Sequence, residues 1–219
     1  MLAHVGIIDS GYGLGAGNAQ LAAEQLRAER SFTPAGVMTD RCGHGSAILN
    51  IVSQAQVEFS IAKVFEESLT CPVERVCDAI EWLVNQGVDL INMSFGMPSA
   101  SPRLASSVAS AVASGVICIA AAPAQGTPVY PSSLPSVIRA TGDARCGPHQ
   151  ISWLDSQQAD VGGYPGNPAT GIAGASVGCA HVSAFASRFL AQGLAKDAQE
   201  VLSRFKEAAA WHGPEIRVS

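Results

Sequence analysis

The sequence predicts an α/β protein, a three-layer α/β/α sandwich around a mostly parallel central sheet. Three observations lead there. Short apolar runs alternate with amphipathic stretches along the chain, and each run is hydrophobic throughout rather than at every second residue. Of the 219 residues, 47% are hydrophobic and only 14% charged. Strands that are apolar on both sides belong to parallel sheets covered by helices on both faces. A chain of this length buries one sizeable core, and no repeat or linker breaks the pattern, so residues 1–219 are expected to form a single domain.

Val5 to Ile8 reads as the first strand, ending in the turn Asp9-Ser10-Gly11. Ala16 to Glu29, rich in Ala, Leu, Glu and Gln, is expected to be helical. Ala47, Ile48, Ile51 and Val52 recur at helical spacing, which predicts a helix over Gly43–Val52 that starts close to His44. Phe59 to Phe65 follows as a strand. In Val73–Gln86 the residues Val76, Ile80, Leu83 and Val84 share one face, and Gly87 stops the helix. Val88–Met93, Val116–Ala121 and Val137–Thr141 read as further strands, with a helix over Leu104–Ser114 between the first two. Gly174–Leu190 and Ala195–Ala210 complete the chain as helices.

The formal net charge is −5, and no basic cluster marks a surface for nucleic acid or an anionic membrane. No apolar stretch is long enough to span a bilayer. The opening residues, Met1-Leu2-Ala3-His4, have no basic region or sustained apolar run and lead at once into a strand, so no targeting signal is expected. Cys42, Cys71, Cys77, Cys118, Cys146 and Cys179 form no CxxC pairs, so reduced thiols and a cytoplasmic location are expected. Neither a cofactor nor a metal is expected.

Three segments set a reactive side chain beside glycine. Val5-Gly6-Ile7-Ile8-Asp9-Ser10-Gly11 puts a carboxylate at a strand end. Gly43-His44-Gly45-Ser46 puts an imidazole at a helix start. Gly174-Ala175-Ser176-Val177 puts a hydroxyl at another helix start, where free backbone N–H groups stabilise negative charge. Acyl transfer uses this set: a nucleophile, a base for its proton, and an acid to hold the base in the right tautomer. Each segment alone is weak evidence. The order Asp, His, Ser makes them specific.

In that order, the chain resembles the subtilisin-like serine peptidases, the subtilases of peptidase family S8. Asp40-Arg41-Cys42-Gly43-His44-Gly45-Ser46 is similar to the family's D-x-x-G-H-G-T, and Gly174-Ala175-Ser176-Val177-Gly178-Cys179-Ala180-His181-Val182 to its G-T-S-M-A-x-P-H-V. Lys63-Val64, Ala79-Ile80-Glu81-Trp82 and Asp89-Leu90-Ile91-Asn92-Met93-Ser94-Phe95-Gly96 resemble its central strands and the helix between them. The resemblance runs from Val5 to about Phe189. It implies a subtilisin-like fold and a serine endopeptidase with Asp9, His44 and Ser176 as triad. It further implies that Ser94, Phe95 and Gly96 pair as a backbone strand with an extended peptide substrate. His181 falls inside the helix after the nucleophile and reads as structural, while His4, His149 and His212 are expected at the surface.

The departures from the family pattern are also informative. Ile119-Ala120-Ala121-Ala122-Pro123-Ala124-Gln125-Gly126 aligns with A-A-A-G-N-x-G, so Ala124 stands where the family's oxyanion asparagine is found, with the amide of Gln125 one residue on. Between His44 and Lys63 the chain lacks the longer insertion that holds a family calcium site, and Ser53-Gln54-Ala55-Gln56-Val57-Glu58 offers one carboxylate. No propeptide is expected ahead of Val5. Glu66-Glu67-Ser68-Leu69-Thr70-Cys71-Pro72 replaces a glycine-rich cleft wall, and reads either as selecting a basic substrate segment or as a solvated loop. Cys42 and Cys179 lie close in sequence to His44 and Ser176, as thiols beside the site or as buried, inert ones. This stripped form resembles the small leader-peptide proteases, such as that of quinohemoprotein amine dehydrogenase. The expected partner is a peptide or protein substrate, with a single dedicated precursor and a partner protein in a maturation complex as the finer reading. The other reading is a catalytically impaired relative that binds a peptide or partner protein as a chaperone or scaffold.

Overall fold

A computed structural model describes residues 2–13, 20, 24–55, 57–167 and 171–215. The strands are β1 (His4–Asp9), β2 (Leu26–Ser31), β3 (Glu58–Lys63), β4 (Leu90–Met93), β5 (Ile117–Ala121), β6 (Val137–Gly142), β7 (Ile151–Trp153), β8 (Val161–Gly163) and β9 (Trp211–His212). Among the described residues, the helices with both ends defined are α1 (His44–Val52), α2 (Val73–Asn85), α3 (Pro102–Ala113), α4 (Ala175–Ala191) and α5 (Ala198–Ala208), with a short 3₁₀ turn over Ser53–Ala55. The nine strands form one sheet in the order β2-β3-β1-β4-β5-β6-β8-β7-β9. Every pairing is parallel except β7 with β8.

Alternation along each strand sends side chains to two different cores. Val5 and Ile7 of β1 join Leu90, Ile117 and Ile119 under α1, α4 and α5. Ile8 joins Ile91, Met93 and Cys118 against α2 and α3 on the other face. Both faces are therefore buried, and the sheet is the middle of three layers. The chain crosses from one side of β1 to the other between β3 and β4, and a crevice opens outside the carboxyl ends of strands at such a switch point. Asp9, Lys63 and Met93 end the three strands that meet there.

Local chemistry explains where the helices begin. Ser101 caps α3, its Oγ accepting from Leu104 N at 3.4 Å, and Pro102 occupies the first helical turn. Asp197 caps α5 through Glu200 N at 2.9 Å. Gly178 lets α4 settle onto the sheet, because a Cβ there would lie 2.2 Å from the carbonyl oxygen of Thr141. Likewise a Cβ on Gly45 would stand 2.1 Å from Gly11 O, so only glycine lets α1 approach the turn after β1.

The expected helix over Ala16–Glu29 is corrected at its end. Gln20, Glu24 and Gln25 are helical, but Leu26 to Glu29 belong to β2; residues 16–19 and 21–23 lie outside the described residues. Leu-Arg-Ala-Glu-Arg favours a helix in isolation, and pairing with β3 at the sheet edge overrides that propensity. His4 is a second correction. It is buried rather than exposed, because β1 is covered on both faces, and its Nε2 lies 2.8 Å from Ser60 Oγ. His149 and His212 are exposed as expected.

Candidate active site

Asp9 ends β1 fully buried, and its Oδ1 lies 2.8 Å from Nδ1 of His44. Ser10 N–H also donates to Oδ1, at 2.8 Å, which fixes the carboxylate plane. His44 is the first residue of α1, and its position depends on a second carboxylate, Asp40. Asp40 Oδ1 accepts from Gly43 N at 2.9 Å, and Oδ2 accepts from Ser46 N at 2.8 Å and from Ser46 Oγ at 2.6 Å. An anion at free helix N–H groups is favourable, so Asp40 caps the helix that carries the imidazole. Ser10 Oγ ties the two loops together, 2.8 Å from Asp40 Oδ1 and accepting from Gly45 N at 2.9 Å.

These contacts set the state of His44. Burial disfavours the imidazolium, but the charge and hydrogen bond of Asp9, with the charge of Asp40, outweigh it and hold the pKa above 6.5. Nδ1 is engaged by Asp9, while Nε2 has no hydrogen-bond partner among the described residues. The imidazole is thus oriented from one side and free on the other.

Ser176 lies in the first turn of α4, partly exposed. Its carbonyl accepts from Ser94 Oγ at 3.0 Å, just beyond the end of β4. Asn92 sits behind this contact. Its Nδ2 donates to Ser94 Oγ at 3.0 Å, and its Oδ1 accepts from Ser183 Oγ at 2.9 Å. A polar side chain in the apolar strand Leu-Ile-Asn-Met is satisfied by Ser94 on one side and by Ser183 of α4 on the other, and it ties the helix to the sheet. The structure thus joins Asp9 to His44 directly and Ser176 to the neighbouring strand, without a hydrogen bond between Ser176 and His44 Nε2. Catalytic hydrogen bonds are often long before substrate arrives.

Beyond β4, residues 94–96 pair with no other strand, and the chain next pairs at Met97, whose N–H donates to Tyr130 O at 2.7 Å. Ser94 is fully buried and Phe95 stacks edge-on against Phe65 at 5.2 Å, so only backbone groups and the exposed Gly96 are presented outward. Ala124 and Gln125 are exposed on the loop after β5 and line a cavity of about 400 Å³ together with Gly142 and Pro165. That cavity adjoins the start of α4, since a Cβ on Gly142 would stand 3.0 Å from Gly174 O.

The adjacent carboxylates Glu66 and Glu67 are already engaged within the chain. Glu66 accepts from Ala35 N at 3.1 Å, and Glu67 pairs with Arg41 at 2.6 Å. Of the two readings of this loop, that leaves selection of a basic substrate with little support. Cys179 is buried at 3.6 Å from Asn92 Oδ1, and burial pushes its thiol up to about 12, so it is inert. Cys42 is partly exposed, with Sγ 3.7 Å from Asp40 Oδ1. His181 packs inside α4, edge-on to Tyr164 at 5.5 Å. Sequence reasoning gave no role to Ser10, Asp40 or Asn92. An asparagine amid Leu, Ile and Met was the signal available for Asn92, and the first position of D-x-x-G-H-G-T was the signal for Asp40.

The family model described as "Subtilase family" matches residues 40–139. Subtilisin DY of Bacillus licheniformis is 29% identical over 197 residues, covering 78% of this chain and 72% of that protein. The chain is thus similar to the subtilase family over residues 40–139, and to individual subtilisins over most of its length. Subtilisin E of Bacillus subtilis is 25% identical over 216 residues, covering 86% of this chain but 56% of the longer relative. Among solved structures, the prenylagaramide maturation protease PagA has a TM-score of 0.67 at 20% identity, covering 92% of this chain and 81% of its own. The protease domain of PatA has a TM-score of 0.68 at 17% identity, covering 97% and 92%. At these identities the two likenesses speak for the subtilisin-like fold. No helix among the described residues is long and apolar enough to cross a membrane.

Proposed function

We propose that this chain is a subtilisin-like endopeptidase that acts through an acyl-enzyme on Ser176, with His44 as general base and then acid and Asp9 as orienter. The observation that carries the reading is the buried Asp9–His44 hydrogen bond, with Nε2 left free at the end of the sheet where α4 begins. In the first step Ser176 Oγ attacks the scissile carbonyl and its proton passes to Nε2. The imidazolium gains from Asp9 and Asp40, which is the same effect that raises its pKa. His44 then returns the proton to the leaving amine, and water repeats the sequence on the acyl-enzyme.

Negative charge on the tetrahedral oxygen falls at the N-terminus of α4, where the backbone N–H of Ser176 serves as a donor. Ala124 supplies no side-chain donor, and the Gln125 amide stands one residue away on the same cavity wall. Residues 94–96 supply unpaired backbone for an extended substrate, which gives affinity with little demand on sequence.

The natural substrate in this reading is a dedicated precursor peptide, processed in a reducing compartment such as the cytoplasm. Supporting it are the fold likeness to a maturation protease and six cysteines that are all free thiols. Cleavage of a peptide library by the parent, and none by Ser176→Ala or His44→Ala, is the expected result. Retained cleavage in Ser176→Ala would remove the nucleophile assignment. Binding without cleavage by the parent would favour a scaffold instead.

A further inference from the structure

Lys63 ends β3 fully buried, in register with Asp9 on the neighbouring strand. An ammonium taken out of water needs strong partners. Nζ donates to two main-chain carbonyls, Ser10 O at 2.8 Å and Thr39 O. The residue after Asp9 and the residue before Asp40 are therefore gripped by one side chain. These are the two loops whose carboxylates act on His44.

We propose that Lys63 is a positioning residue of the active site: by clamping the Ser10 and Thr39 carbonyls it holds Asp9 and Asp40 in place against His44. Contacts around the clamp are continuous. Val64 N–H donates to Asp9 O at 2.8 Å and Tyr12 N–H to Val37 O at 3.0 Å, so β3 and both loops are joined by backbone hydrogen bonds as well. Neither carboxylate donates to or accepts from Nζ directly. The ammonium acts on them through the backbone, and its own charge is balanced at longer range. The charged and titratable groups facing Lys63 are Asp40, Glu66, Arg41 and the Cys42 thiol; those facing His44 are Asp9 and Asp40.

The proposal rests on His44 being the base, and its consequences have a definite sign. Releasing the loops weakens the effect of Asp9 and Asp40 on the imidazole, so the His44 pKa falls in Lys63→Met. Removing a nearby cation without moving the loops would instead raise it. The experiment is an NMR titration of His44 in the full-length parent, Lys63→Met and Lys63→Arg, alongside the rate of fluorophosphonate labelling at Ser176 against pH. The expected result is a lower His44 midpoint in Lys63→Met, labelling slowed by up to about 10²-fold, and recovery toward the parent in Lys63→Arg, which keeps a charged donor. A folded Lys63→Met whose His44 midpoint is unchanged or higher overturns the proposal. If Lys63→Met does not fold, Lys63→Gln takes its place under the same criterion. A parent that shows the raised His44 midpoint but no labelling would break the Ser176 assignment, while the NMR comparison still decides the role of Lys63.

Discussion

His44 stands between two carboxylates of different function, and single substitutions separate them. Asp9 touches Nδ1, whereas Asp40 acts through the helix cap and through space. With the His44 pKa held above its ordinary value by Asp9 and Asp40, the proposed base takes up its proton at higher pH than a free imidazole, so the acidic limb of kcat/KM should lie above 6.5. Asp40→Asn removes one of the effects that raise it, and the acidic limb should move to lower pH; a pH–rate profile that does not move would detach Asp40 from the base. The same variant should lose up to about 1 kcal/mol of stability, because a neutral amide replaces the anion at the free N–H groups of α1, and denaturant unfolding measures it. Ala124→Asn should speed the chemical step by as much as about 10²-fold if the amide reaches the oxyanion, with substrate affinity little changed. Single-turnover rates check this, with Pro123→Gly added in parallel because proline fixes φ just before the site. Asp9, His44 and Ser176 stand out as candidates in the sequence because glycine-flanked motifs in a fixed order mark them, and the structure pairs the first two. Asp40 was quoted only as part of a motif, and its capping role emerges when Ser10, Gly43 and Ser46 gather around it.

At the scale of elements, the site depends on two helix starts being pressed against strand ends. Gly178→Ala tests one of them. The added methyl meets the Thr141 carbonyl and Gly142 backbone, neither of which is a flexible side-chain tip, and overpacking of this kind costs about 1–3 kcal/mol. The melting temperature should fall, and activity should fall further because α4 carries Ser176. Unchanged stability would mean that α4 can lift without penalty. Long apolar elements such as α2, α4 and β5 were readable from periodicity and run length. β2 was not, since its charged edge sequence carries helix propensity and only its partner β3 makes it a strand. β7, β8 and β9 were missed for another reason: each is two or three residues long, below the length at which a pattern exists.

For the whole molecule, the sheet order brings β1, β3 and β4 side by side and so collects residues from distant parts of the chain at one crevice. The connection from α1 to β3 is only residues 53–57, and Glu58 beyond it is already paired with Arg27 at 3.2 Å. Calcium should therefore leave the melting temperature unchanged, since only a ligand that favours the native state raises it. A rise in millimolar calcium, read by calorimetry, would reveal a site elsewhere. The central claim is that Ser176 is a nucleophile activated by His44, and intact-protein mass spectrometry after fluorophosphonate exposure tests it most directly. The account predicts one adduct, mapped to Ser176, that disappears in Ser176→Ala and forms far more slowly in His44→Ala. A parent protein that stays unmodified, or an adduct on another residue, would contradict it.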